Sequence, residues 1–181
     1  MSIFGNASEA QLGVRDLGAL LLQLARNPIE FMREPTSLSW RAIFTLQTSA
    51  AIVSSTAVAL MEKSWLNFLI GVFVLPLLII MIGAVFTLVI YYYFALFTST
   101  YLDIRRLHAL ITIATLPYFL LHSFSGFLPP LDLVGFGLSA ILCVVGLVEQ
   151  FSLRRRLVFS FFIVSTVLFV GIWSIFHIST Q

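Results

Sequence analysis

From Ser64 to Leu102 the chain carries no charged side chain. That run exceeds the roughly 20 residues an apolar helix needs to cross the hydrocarbon of a bilayer, and similar tracts lie on both sides of it, separated only by short charged clusters. Such a chain folds in lipid. Only 10% of its 181 residues are charged and 60% are hydrophobic, whereas soluble domains carry about 25% charged residues. A water-soluble core is therefore excluded, and no polar stretch after the first forty residues is long enough to fold alone, so one domain is expected. A net charge of +2 gives no basis for nucleic-acid binding. The single cysteine, Cys143, lies in an apolar run and has no partner for an internal disulfide.

Five uncharged tracts meet or approach the spanning length: Ala42 to Met61, Ser64 to Leu102, Leu107 to Leu131, Leu133 to Val148, and Leu157 to about Ile178. The second is long enough for one crossing with overhang or two with a minimal turn, and the positive charges decide between them. With one crossing, Arg15, Arg26, Arg33, Arg41, Arg105, Arg106, Arg154, Arg155 and Arg156 fall on one side and only Lys63 on the other. That follows the rule that cytoplasmic loops collect Lys and Arg. Two crossings would split the arginines, and near the middle of the tract Gly83 stands alone, without the Pro, Asn or Asp that would make it a turn signal. The expectation is an all-α, polytopic bundle of five transmembrane helices at about 42–61, 70–98, 107–126, 131–149 and 157–177. Trp65 and Asn67 suit an outer interfacial stretch, Pro76 a kink, and Tyr91, Tyr92, Tyr93 and Tyr101 the inner headgroup layer. The amino terminus is then cytoplasmic and the carboxyl terminus (179–181) external.

Residues 1–40 form a more polar lead. Leu12, Leu17, Leu20, Leu21 and Leu24 recur at helical spacing, giving one apolar stripe too short and too charged to cross. Asn27, Pro28 and Glu30 read as a second helix start, with an Asn cap, Pro at the first position and Glu at the third. One or two amphipathic cytoplasmic helices are expected, lying on the membrane surface or against the inner ends of the spans. The polar start does not resemble a signal peptide. The glycosylation match at Asn6, Ala7 and Ser8 falls on the wrong side of the membrane for use.

Ala51, Ser55 and Ala59 repeat every four residues on the first span, and Gly135 and Ser139 form a second small pair on the fourth. Small residues let helix backbones approach closely in lipid, within the chain or between two copies, with internal packing the simpler reading. Pro117 interrupts the third span and, with Thr115, His122 and Asp132, marks a packing kink or else a hinge or polar track. His122, Asp132 and His177 are the one set able to converge as a proton or metal site, though they lack ligand spacing. Asp132 and Glu149 bracket the fourth span and read as solvated span ends; His108, beside Arg105 and Arg106, reads as an inner interfacial residue. Neither a Gly-x-Ser-x-Gly elbow nor a His-Glu-x-x-His motif occurs, and Cys143 is set among apolar neighbours. No catalytic, cofactor or metal site is expected. Arg105, Arg106, Arg154, Arg155 and Arg156 form a basic inner surface suited to anionic lipid headgroups or to a docking partner.

Asn27-Pro28 followed by Phe31 and Pro35, the Leu116-Pro117 pair inside the third span, and Val145-Gly146-Leu147 closing the fourth before Arg154, Arg155 and Arg156 together resemble the bacterial branch of the Yip1-domain family over roughly residues 20 to 178. The resemblance implies a five-span fold without catalysis, in a bacterial inner membrane. The eukaryotic relatives bind Rab-type GTPases and are linked to vesicle traffic and membrane shape. The sequence lacks their long polar lead and their Asp-Leu-Tyr-Gly-Pro segment, so Rab binding is not implied. A membrane scaffold or organising factor is the leading expectation, with other membrane proteins or a second copy as partners. A small transporter or channel component is the alternative.

Overall fold

The computed structural model describes residues 14–33, 38–98, 101–125, 127–128 and 130–165, and every regular element among them is helical. In chain order these are α1 (Val14–Arg26), α2 (Pro28–Arg33), α3 (Trp40–Glu62), α4 (Trp65–Leu69), a π-helical turn (Ile70–Val74), α5 (Leu75–Thr98), α6 (Ile104–Ala114), α7 (Leu116–His122) and α8 (Pro130–Phe151). Residues 155–165 form the described part of a last helix, α9. Four helical runs are long and apolar enough to cross a membrane: Trp40–Met61, Trp65–Thr98, Ile104–His122 and Pro130–Phe151. The all-α, membrane-embedded expectation holds at this level. Of the expected fifth span at 157–177, residues 166–177 lie outside the described residues, as do His177, the tail at 179–181, residues 1–13 of the lead and Pro35.

Local chemistry sets the helix ends. The Ser39 hydroxyl accepts the Ala42 N–H at 3.2 Å and starts α3, and Lys63, in the left-handed region at φ 52°, ends it by returning its N–H to Ala59 O. Ser64 caps α4 through the Asn67 N–H. Asp103 accepts the N–H groups of Arg105 and Arg106 at 2.9 and 3.4 Å, placing a carboxylate at the positive end of the α6 dipole.

The long uncharged tract forms one continuous helical run of 34 residues, roughly 51 Å at 1.5 Å per residue. It starts at Trp65 rather than near residue 70, so Trp65 and Asn67 belong to its first turns. Its irregularity is the π turn, where the Leu75 N–H reaches back five residues to Ile70 O. Pro76 follows, has no N–H to give, and would clash with a regular α turn before it. The expected third span is shorter than 107–126 and divided. It breaks at Thr115, resumes with Pro117 as the second residue of α7, and ends at His122, because proline is tolerated in a first turn but not in a helix interior.

α6 is the centre of the bundle, with every residue from Leu107 to Ala114 buried. Leu107, Leu110 and Ile113 meet Ile43 and Leu46 of α3, Ile90 and Phe94 of α5, Leu147 of α8 and Val158 of α9 in one core. α5, by contrast, exposes Leu77, Met81, Val85 and Leu96, an apolar surface too continuous for water and suited to lipid. Phe161 of α9 lies with its ring centroid 4.8 Å from Tyr93 and 6.4 Å from Phe86, so α9 sets out along α5.

The lead is docked onto the bundle. Leu20 and Leu24 of α1 and Phe31 and Met32 of α2 are buried, and Gln150 Nε2 of α8 donates to Met32 O at 2.8 Å. Leu22 and Ile29 remain exposed on the other side of the lead.

Candidate functional site

Polar groups gather at three levels of the bundle. At the end carrying Lys63, His122 Nδ1 lies 2.8 Å from Asp132 Oδ1, joining the last residue of α7 to the first turn of α8. The Tyr118 ring stacks on the imidazole at 5.5 Å, and Ser125 Oγ donates to His122 O at 2.8 Å. The carboxylate orients the ring as a second-sphere partner would. Both side chains remain partly exposed, so the pair sits at a wetted rim. Among the described residues no three His, Cys, Asp or Glu side chains are grouped as a metal would require, and His177 lies outside them.

Beside His122 a cleft of about 170 Å³ opens between α3, the π turn and α7, lined by Ser55, Val58, Asn67, Gly71 and Leu75. Its floor is built by proline chemistry. In the π register the Gly71 carbonyl would accept from residue 76, which as proline has no hydrogen to offer. Ser55 Oγ lies 2.9 Å from that carbonyl and 2.7 Å from Ala51 O, so its single proton serves two acceptors. A Cβ on Gly71 would stand 2.7 Å from Ser55 Cβ, so only glycine fits this crossing.

The small-residue face of α3, Ala51, Ser55 and Ala59, is buried and meets the π turn of the same chain at Ser55. Gly135 of α8 lies against α7 instead, where a Cβ would come within 3.0 Å of Tyr118 Cα, and Ser139 is buried one turn on. Thr115 Oγ1 donates to Thr112 O and Pro117 is half-buried. Of the proposed hinge or polar-track residues, His122 and Asp132 are joined, His122 borders the cleft, and Thr115 bonds back within its own chain segment.

The third cluster was not anticipated from sequence. His108, expected as an inner interfacial residue, is enclosed between helices. Only 2% exposed, it contacts Thr87 Oγ1 of α5 through Nδ1 at 2.7 Å and faces Trp40 and Phe44 of α3 at ring distances of 5.7 and 6.0 Å. Gln47 joins it from α3, donating from Nε2 to Ile79 O at 3.3 Å. Gly83 leaves room for that amide, since a Cβ there would lie 2.6 Å from Gln47 Nε2. The available signal was Gly83 and Thr87 one turn apart in an otherwise apolar helix, opposite the lone glutamine of the first span. His108 Nε2, Gln47 Oε1, Ser54 Oγ, Thr112 Oγ1 and Ser139 Oγ are buried without a protein partner, each a debt of about 1–3 kcal/mol if left unbonded.

No protein-family model, curated protein or solved structure matches the chain.

At the opposite end from Lys63, Arg106 lies 5.6 Å over the Phe151 ring, bringing the start of α6 to the end of α8. Arg105, Arg154, Arg155 and Arg156 are exposed there, as are Arg26, Arg33 and Arg41. Arg155 approaches Glu149 at 3.6 Å, a surface pair contributing at most about 1 kcal/mol. Cys143 is buried in α8.

Proposed function

We propose that the chain is a non-catalytic integral membrane protein of the bacterial inner membrane, a scaffold or organising factor that holds anionic lipid headgroups on its cytoplasmic end. The single observation that carries this reading is the docked lead beside the arginines. Gln150 and the Met32 pocket fix α2 to α8, exposed Leu22 and Ile29 suit the acyl boundary, and the exposed arginines suit phosphates, each attracting anionic lipid by about 1 kcal/mol.

Five spans are part of this proposal. The starts of α3, α6 and α9 and the ends of α5 and α8 form the arginine end, while Lys63 and the turns after His122 lie at the other. A fifth crossing by the uncharged sequence from Leu157 to Ile178 gives the odd number and an external carboxyl terminus, with the arginines cytoplasmic. This layout agrees with the resemblance to the bacterial Yip1-domain branch, in which other membrane proteins or a second copy would be the protein partners.

The test is lipid retention. The full chain, extracted in mild detergent from membranes containing phosphatidylglycerol and phosphatidylethanolamine, should carry bound phosphatidylglycerol in native mass spectra, and replacing Arg154, Arg155 and Arg156 with Gln should remove most of it. Equal retention of both lipids by the parent chain would overturn the reading.

The cleft beside His122 favours a second reading, a small transporter component. Ser55 lies seven residues before the end of α3, so the cleft reaches about 10 Å into the bundle. Solute flux into proteoliposomes that is lost in His122→Ala would support it.

A further inference from the structure

We propose that the interior cluster of Gln47, Thr87, His108 and Thr112 is a binding site for water, held within the bundle by His108 Nε2 and Gln47 Oε1. The hydrogen-bond directions lead to this guest. The Thr87 hydroxyl has one proton and donates it to Gly83 O at 2.7 Å. Its oxygen is then an acceptor, so the short contact with His108 Nδ1 assigns the imidazole hydrogen to Nδ1. His108 Nε2 is left as a bare lone pair, with no protein partner. The glutamine is fixed by the same reasoning. Only its NH₂ group can bond to the Ile79 carbonyl, which leaves Oε1 as the second unpartnered atom.

Both orphaned atoms are acceptors, so they cannot satisfy one another. A guest that bonds to both must bring two donors and be small enough for a close-packed interior, and water meets both conditions. Thr112, one turn beyond His108 on the same face of α6, has a buried hydroxyl without a partner. It supplies the donor for the water's own lone pair. Three bonds to otherwise unsatisfied groups is the usual holding of a buried water. Gly83 contributes by absence, since a side chain there would collide with the Gln47 amide and turn it from its acceptor at Ile79. Thr87 of α5 and Trp40 and Phe44 of α3 lie against the imidazole, and none of them is charged; both the ring and the Gln47 amide border Gly83. The site therefore gives the bundle a hydrated imidazole in an apolar layer, distinct from the headgroup surface and from the cleft at His122.

The test is water-edited solid-state NMR on the full chain in lipid bilayers with ¹⁵N-labelled histidine. Signals of the three histidines are assigned by His122→Gln and His177→Gln. The expected result is a His108 Nε2 that carries no hydrogen and receives magnetisation from water as readily as the His122 ring at the rim. In Gln47→Leu that transfer is lost while the His122 signal persists. A His108 ring as isolated from water as the methyl groups of Ile113, or a hydrogen found on Nε2 of the parent protein, would overturn the proposal. Both readouts come from the parent chain, so the proposal is decided even if Gln47→Leu does not fold.

Discussion

Gly71 and Ser55 touch where an ordinary side chain would not fit, and the contact exists because Pro76 forces the turn before it into π geometry. The Cβ of Gly71→Ala would stand 2.7 Å from Ser55 Cβ, an overlap that the end of a flexible side chain cannot relieve. Overpacking of this kind costs about 1–3 kcal/mol, so the variant should lose thermal stability in detergent. Adding Ser55→Gly should restore part of the loss, a coupling read from the double-mutant cycle. Gly137→Ala, which meets nothing within 4 Å, is the control and should be neutral or stabilising. Equal effects of the two alanine variants would refute the crossing. The sequence shows the spacing of Ala51, Ser55 and Ala59, but not that Gly71 answers Ser55. That pairing depends on a proline-induced change of register five residues away. His108 is the opposite lesson. Its arginine neighbours suggest a surface, yet every residue of α6 from Leu107 to Ala114 is buried, so the helix has no free face at His108.

Among the elements, α2 shows how a short helix becomes part of a bundle. Six residues are too few to hold a helix alone in water. Asn27 and Pro28 announce its start in the sequence, but its stability comes from Met32, which is 1% exposed, seated where Gly146 leaves space. A Cβ on Gly146 would lie 2.9 Å from Met32 Cε and 2.6 Å from Leu110 Cδ1. Met32→Ala should cost about 2–5 kcal/mol locally, speeding amide hydrogen exchange across α1 and α2 while α6 stays protected. Unchanged exchange in the lead would show that α2 is held by other means. The period of the leucines predicts a stripe; it does not predict which helix receives it, because α8 offers its small residues on more than one face.

For the whole molecule, the balance between lipid and core is written in the contrast between α5 and α6. α5 is apolar on all sides and mostly exposed, while α6, flanked by arginines and carrying a histidine, is the most buried helix. Hydropathy alone ranks them the other way, since the most apolar helix is the one that faces acyl chains rather than the centre. That the long uncharged tract makes one helix was legible because charge is confined to its ends, and the run from Trp65 to Thr98 is helical throughout. The arrangement of the helices around α6 was not, since it is set by shape at Gly71, Gly83, Gly135 and Gly146. In the proposed topology the arginine end faces the cytoplasm and the chain crosses five times. Single cysteines introduced as Lys63→Cys, Arg155→Cys and Gln181→Cys in a Cys143→Ala background test it with a membrane-impermeant maleimide on intact spheroplasts. That topology predicts labelling at positions 63 and 181 from outside, and at 155 only after the membrane is opened. Labelling of 155 on intact spheroplasts, or protection of 181 until the membrane is opened, would contradict it.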